Sequence, residues 1–295
     1  MPTTRFRQSL SNADLAYLQT LRDDAEAPSP VDSYRFFMGT EPLGWVRRQH
    51  VPALQGALPG VSGAPGLVRW DAQHLSPVQR SQVLALAAQT LREQGLIQGW
   101  RDECYSHWGA ISHDPDPALP EWFRLERSAF RFFGLRSHAV HINGFTPDGR
   151  MWCARRALSK ATDPGRLDNL AAGGLAAGEG ILSCAVRELY EEAGIEPSLA
   201  QQVQRAGRIT TARSEAEGWH DETLVVFNLL LPDGVVPHNT DGEVSGFECL
   251  SPAEVMARIR MADFSKDAAC VVAQGVLSAQ YFSGTIISEG TGERM

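Results

Sequence analysis

Apolar residues that recur at helical spacing, with capping residues before them, predict several helices. Ser11 precedes the first of them in a predicted capping box. Ser76, followed by proline, begins a longer helix that Gly95 ends. Ser251, also followed by proline, begins a third. Two further helices are expected over residues 121–133 and 266–279.

Apolar runs without helical spacing predict strands in the rest of the chain. Two of these runs flank the turn residues Thr146-Pro147-Asp148-Gly149, which is typical of a hairpin. The runs cover residues 35–70, in short pieces divided by Gly and Pro, and residues 138–145, 150–157, 222–231 and 244–250. Because strands and helices alternate towards the C-terminus, we expect an α/β or α+β layer structure there.

Composition excludes several classes of protein. The 295 residues are 43% hydrophobic and 21% charged, which is typical of a globular chain long enough to bury a core without disulfides. With a net charge of −8, nonspecific nucleic-acid binding is not expected. The longest apolar run, 224–231, is too short to cross a membrane. Five widely spaced cysteines form no zinc or redox motif, so we expect reduced thiols in a cytoplasmic protein.

The stretch GGLAAGEGILSCAVRELYEEAGI, residues 173–195, carries the main candidate for chemistry. On a helix, Glu188, Glu191 and Glu192 share one face, away from the apolar face that contains Leu189. Three carboxylates on adjacent turns repel one another, unless a hard divalent cation such as Mg²⁺ lies among them. The alternative is a solvated acidic face, which is the common fate of such residues taken alone. Arg187 and Glu179 lie outside this face and suit an ion pair that orients the preceding loop.

The full spacing is more demanding than a run of acids. It reads Gly, five residues, Glu, seven residues, Arg-Glu-apolar-x-Glu-Glu-x-Gly-apolar, and every defined position is filled, ending at Gly194 and Ile195. This pattern resembles the box of the Nudix hydrolases. The resemblance implies a Nudix fold, in which a mixed sheet lies between helices, over residues 126–295. Residues 1–125 would then form an accessory α/β domain.

The same resemblance implies hydrolysis of a diphosphate linked to another group, with Mg²⁺ or Mn²⁺ as cofactor. The carboxylates Glu188, Glu191 and Glu192 would hold metal or activate water, while Glu179, Arg187 and Gly194 would shape the box. The backbone at Ala172 would add a ligand, and Gly173 and Gly174 would approach phosphates. A further carboxylate outside the box is expected from Glu217, Glu222 or Glu243, and the loop position favours Glu217.

A second resemblance concerns the substrate. HINGF at 141–145, PGRLDNLAAGG at 164–174 and PHNTDGEV at 237–244 are similar to the Nudix proteins related to thiamine pyrophosphokinase. The similarity extends into the N-terminal third and implies that the terminal phosphate is removed from thiamine diphosphate or its oxidised analogues. Arg155, Arg156 and Lys160 could bind phosphate, although strand alternation allows only one of the two arginines to face the site. Asn143 is a further candidate for substrate contact.

Two other functions stay open on the sequence alone. One is a Nudix hydrolase of a nucleotide diphosphate such as ADP-ribose, although the proline typical of many ADP-ribose hydrolases is absent near 209–212. The other is a noncatalytic ligand sensor, which the complete set of box carboxylates disfavours. For a hydrolase, the expected partner is a small-molecule diphosphate substrate. The resemblance is also compatible with a homodimer.

Overall fold

The computed structural model describes residues 3–25, 29–109, 119–160 and 162–278. The first half of the chain contains α1 (Thr4–Gln8), α2 (Asn12–Asp23), β1 (Ser33–Met38), β2 (Glu41–Arg47), a 3₁₀ turn (Arg48–His50), α3 (Val51–Ala57), β3 (Val61–Ala64), β4 (Leu67–Trp70), α4 (Pro77–Glu93), β5 (Cys104–His107), β6 (Phe123–Glu126) and α5 (Ala129–Phe133). The strands β2-β1-β4-β3 form one sheet in that order, and β5 pairs with β6.

The second half is built around a larger mixed sheet. Its elements are β7 (Arg136–Phe145), β8 (Met151–Arg156), β9 (Leu167–Asp168), β10 (Ala171–Gly174), α6 (Ile181–Ala193), α7 (Pro197–Ala200), β11 (Gln204–Glu215), β12 (Gly218–Leu230), β13 (Val244–Leu250), α8 (Pro252–Arg260) and α9 (Lys266–Leu277). The strand order is β11-β12-β7-β8-β13, with β10 added to β7 and β9 to β8. The β12–β7 pairing is parallel and the other pairings in this sheet are antiparallel.

Helices cover both faces of this sheet. One face packs on α6 through a core that includes Val140, Ile142 and Leu189. The other face packs on α9, where Leu224 contributes to a smaller core with Val271. The expected mixed sheet between helices is therefore confirmed.

The N-terminal half has its own hydrophobic core, which runs from Phe36 through Trp70 and Phe130 to Leu135. The first two helices are an exception, because Phe6 and Leu18 are buried in a core shared with α8 and α9. The predicted domain boundary between residues 125 and 126 stays a prediction.

The predicted helix starts are confirmed. Ser11, Ser76 and Ser251 each cap a helix in a full capping box. The predicted hairpin is also present as β7 and β8. None of the helices within the described ranges is long and apolar enough to span a bilayer.

The helix expected over residues 121–133 is wrong in its first half. Phe123 and Leu125 are buried while Arg124 between them is exposed, and this alternation belongs to a strand that pairs with β5. Only α5 is helical there, and it ends at Gly134 with a positive φ of 57°. Several elements were not predicted, among them α3 within 35–70, β5 and the long strand β11, whose polar residues hide its alternation.

Candidate metal and phosphate site

The acidic helix α6 lies between the box loop and the sheet. It begins after Gly180 and ends at Gly194, whose φ of 62° is the left-handed conformation that closes many helices. Cys184, Ala185 and Leu189 are buried against the sheet. This packing presses the neighbouring carboxylates towards β10.

Two box carboxylates are buried at β10. Glu192 is 6% exposed, and its Oε2 accepts a hydrogen bond from the Ala172 amide at 2.8 Å. Glu188 is 8% exposed and lies over Gly173, where any Cβ would overlap its carboxylate. Gly173 is therefore required by close approach of a side chain, in addition to any contact with phosphate. Glu191 is more exposed, with 46% of its side chain accessible.

Arg187 joins these carboxylates to the loop. It pairs with Glu179 through Nε to Oε1 at 2.8 Å and Nη2 to Oε2 at 2.9 Å. Its Nη1 also donates to Glu188 at 2.6 Å and to Glu191 at 3.0 Å. Arg187 was expected to pair with the loop alone, so this bridge to two box carboxylates is new. The guanidinium partly neutralises a cluster that would otherwise repel itself.

Burial sets the electrostatics of the cluster. Desolvation raises the pKa of Glu192 well above its ordinary value, despite the hydrogen bond from Ala172. Desolvation also raises the pKa of Glu188, although Arg187 opposes it. For Glu179 burial acts in the same direction, but the hydrogen bonds from Arg187 prevail and lower its pKa. A nearby positive charge would therefore stabilise the charged forms of Glu188 and Glu192.

A cavity of about 430 Å³ borders β10. Its wall includes Ala172, Gly173 and Gly174, with Arg156 and Lys160 from β8 and the residues that follow it. Arg156 donates to Asp168 at 2.7 Å, and Lys160 pairs with Glu243. Lys160 also acts electrostatically on Glu192, which packs on β10. Carboxylates, glycine backbone and cations are thus gathered within one region.

Comparison with known families finds a match in each half of the chain. Residues 135–270 match the model of the NUDIX domain, and residues 17–137 match that of a domain of unknown function, DUF4743. The two matches meet at the end of the N-terminal core.

The chain is also similar to individual known proteins. It is 35% identical over 199 residues to "Nudix hydrolase 24, chloroplastic" of Arabidopsis thaliana, covering 66% of this chain and 53% of that protein. It is 34% identical over 207 residues to "Nudix hydrolase 20, chloroplastic" of the same plant, covering 68% and 53%. The chain thus spans about half the length of these relatives. A MutT protein structure from Methanosarcina mazei Go1 matches at 16% identity and a TM-score of 0.40, covering 50% of this chain and 96% of that one.

Two predicted substrate residues do not line this cavity. Asn143 is fully buried under α9, where it donates to Asn228 and accepts from Asn169. Arg155 faces the opposite side of β8 and pairs with Glu248 and Asp263. The expectation that these two contact substrate is corrected, because their polar groups already serve structural bonds. Arg156 is the arginine that faces the cavity.

The choice of an extra carboxylate outside the box stays a prediction. Glu217 and Glu222 line the cavity, and Glu217, in the β11–β12 turn, lies 4.0 Å from Arg131. Glu243 contacts Lys160, and Lys160 in turn acts electrostatically on Glu192. Glu243 is thus the candidate that this contact connects to the box.

The segment that carries Glu243 is held against the box helix. Thr240 donates from its hydroxyl to the Glu191 carbonyl, and the ring of His238 packs on Gly194. Asp241 then accepts from the amide of Glu243 at 2.8 Å. Sequence reasoning found this segment only by resemblance, because its spacing from the box carries no periodic pattern.

The residues fit a divalent cation, although no three His, Cys, Asp or Glu side chains of the described ranges already form a metal cage. The Glu188 carboxylate occupies the space that a Cβ at Gly173 would fill, and both it and Glu192 are buried with raised pKa values. Oxygen donors of this kind are those that Mg²⁺ and Mn²⁺ prefer. Arg187 supplies part of the positive charge that such an ion would bring.

Proposed function

We propose that this protein is a metal-dependent Nudix hydrolase that cleaves a diphosphate linked to an organic group. The observation that carries the proposal is the pair of buried carboxylates, Glu188 and Glu192, packed on β10, whose residues line a cavity together with Arg156 and Lys160. Hydrolysis of a phosphoanhydride requires neutralised phosphate oxygens and an activated water, and this arrangement supplies groups for both.

Glu188, Glu191 and Glu192 would hold the cation, with the backbone at Ala172 as a further candidate. Nudix hydrolases generally use divalent metals, and such an ion supplies charge neutralisation and a more acidic water. Gly173 allows the Glu188 carboxylate to reach this position. Glu243 is the candidate for the additional carboxylate and for accepting a proton.

We assign phosphate binding to the part of the cavity wall that contains Arg156 and Lys160. Arg156 and Lys160 are now paired with Asp168 and Glu243, and a phosphate can compete for both cations. The Gly173–Gly174 backbone lines the same cavity and lets a ligand approach closely. We therefore infer that the terminal phosphate lies between these cations and β10.

For the organic group we propose thiamine or one of its oxidised forms. The support is the sequence resemblance, together with the placement of residues 237–244 against α6 beside the cavity cations. The buried carboxylates alone would serve ADP-ribose equally well. The choice between these substrates depends on the far end of the cavity.

A direct comparison of substrates tests the proposal. Release of phosphate or of a nucleotide monophosphate is measured with Mg²⁺ for oxythiamine diphosphate, thiamine diphosphate and ADP-ribose. We expect the highest kcat/KM with a thiamine compound, and a loss of at least about 10²-fold in kcat for Glu192→Gln. Glu196→Gln, at an exposed carboxylate outside the box, is the matched control.

Each outcome has a separate meaning. Faster turnover of ADP-ribose would overturn the thiamine assignment and leave the hydrolase standing. Absence of turnover with every compound, or full activity of Glu192→Gln, would overturn the hydrolase. The same variant should keep its melting temperature, because glutamine removes a buried charge and can still accept from the Ala172 amide.

A further inference from the structure

The cavity is built by both halves of the chain. The sheet of the Nudix domain contributes Ser137, Ala139 and the first residues of β12, while the preceding half contributes Tyr105 and residues 127–131. The two walls touch directly, since a Cβ at Gly218 would overlap the carbonyl of Arg131. Residues just before α5 and just after Gly218 therefore border the same end of the cavity.

Two polar atoms at this end have no hydrogen-bond partner among the described residues. They are the hydroxyl oxygen of Ser128, at the start of α5, and the Nε2 of His220, on β12. Both atoms are buried, both residues line the cavity, and His220 as a whole is only 6% exposed. Leaving a buried polar atom unpaired costs free energy, so such atoms in a cavity wall indicate a ligand that pairs with them.

A third polar group completes this end. Glu222 lies beside Ser137 in the parallel pairing of β12 with β7, and Ser137 donates to its Oε1 at 2.8 Å. The other oxygen, Oε2, is 3.6 Å from His220 Nε2, which is too long for a hydrogen bond. The residues at this end of the cavity thus carry a hydroxyl, an imidazole nitrogen and a carboxylate oxygen.

The remaining wall is mixed. Phe130, Leu135 and Ala139 line the cavity and are each at least 95% buried, and charged side chains such as Arg131 and Arg213 line it as well. A flat heteroaromatic ring suits a mixed wall, because its faces are apolar while its edge carries donors and acceptors. A purely aliphatic ligand would leave the polar groups unsatisfied.

We propose that Ser128 and His220, with Glu222, form a recess that binds the heteroaromatic ring of the substrate. This inference rests on the proposed function, since the diphosphate of the same molecule would lie at the β10 end. It makes the first half of the chain a source of substrate specificity, because Ser128 belongs to the segment before the Nudix domain. Ser128 and His220 are specificity residues and take no part in bond cleavage.

The test uses Ser128→Ala and His220→Phe in the full chain. With the best substrate of the panel, each variant should raise KM about tenfold, the usual effect of one lost buried hydrogen bond, and leave kcat within about twofold. Thr223→Val is the matched control, because Thr223 also carries a buried hydroxyl without a partner in the described chain but lies on the opposite face of β12. Ser128→Ala removes no side-chain hydrogen bond to another described residue and should keep the melting temperature of the parent.

A binding measurement separates this proposal from the proposed function. Calorimetry compares thiamine monophosphate, adenosine monophosphate and inorganic phosphate with parent and variants. We expect Ser128→Ala to weaken the better-bound ring compound about tenfold and to leave inorganic phosphate unchanged. Equal weakening of both, or no weakening in a folded variant, would overturn the recess. If the parent cleaves no diphosphate, the proposed function fails while this comparison still tests the recess.

Discussion

Single residues decide how closely the carboxylates approach β10. Gly173 is the clearest case, since its lack of a side chain makes room for the Glu188 carboxylate. The sequence predicted that this glycine lets phosphate approach the backbone. The structure allows this, but the contact with Glu188 is a more immediate reason for a glycine here. The sequence alone does not show whether a ligand or a protein side chain occupies the space beside such a glycine.

Gly173→Ala tests this packing. The added Cβ should displace Glu188 and lower kcat at least about tenfold, with little change in melting temperature because the displaced carboxylate can move towards solvent. Gly246→Ala is the control, since a Cβ there meets nothing within 4 Å. Activity equal to that of the control would show that the Glu188 position is unimportant.

The residue scale also shows where prediction failed. Asn143 and Arg155 were expected at the substrate, yet both form structural bonds under α9 and at the β8–β13 edge. Alternation along β8 predicted that the two arginines face opposite sides, and of the two only Arg156 lines the cavity. Which one could not be decided, because the partners Glu248 and Asp263 come from distant parts of the chain.

At the scale of elements, helices were predicted better than strands. The capping boxes at Ser11, Ser76 and Ser251 are local patterns, and each begins a helix where expected. Residues 121–133 failed because the strand β6 depends on pairing with β5, which helical spacing cannot reveal. The same dependence on a partner hid β11.

The contact between the box loop and α6 depends on one side chain. Arg187 pairs with Glu179 of the loop and with Glu188 and Glu191 of the helix. Arg187→Ala should lower the melting temperature by about 5 °C, because it leaves partly buried carboxylates without their counter-charge. Differential scanning calorimetry measures this.

The control for this prediction is Arg69→Ala, at an exposed position on β4. An unchanged melting temperature combined with lost activity would contradict the structural assignment of Arg187. It would instead place the guanidinium in the reaction.

At the scale of the whole molecule, the junction of the two halves carries a pH dependence. His107 is 1% exposed, stacks on Phe123 at 4.9 Å between ring centres, and its pKa falls from 6.5 to about 3. Burial is the main cause and the nearby His138 adds to the effect, while a backbone hydrogen bond with Arg136 opposes it. The ring is therefore neutral in the folded protein at neutral pH.

This shift predicts acid sensitivity. The unfolded chain binds a proton at His107 more readily than the folded protein does, so the stability from the neutral ring is complete above about pH 6.5. It is then lost progressively as the pH falls towards 3. His107→Phe should flatten this part of the curve of unfolding free energy against pH, measured by urea denaturation. His74→Phe, at an exposed histidine, should keep the parental slope; an equal slope in all three proteins would contradict the prediction.

The central claim concerns the cation site at Glu188, Glu191 and Glu192, and anomalous diffraction from a crystal soaked in Mn²⁺ tests it most directly. The account predicts an anomalous peak within about 2.5 Å of carboxylate oxygens from this group, with Glu188 and Glu192 turned towards the ion. A fully soaked crystal with these carboxylates still bound only to Arg187 and Ala172, and with no peak beside them, would contradict it.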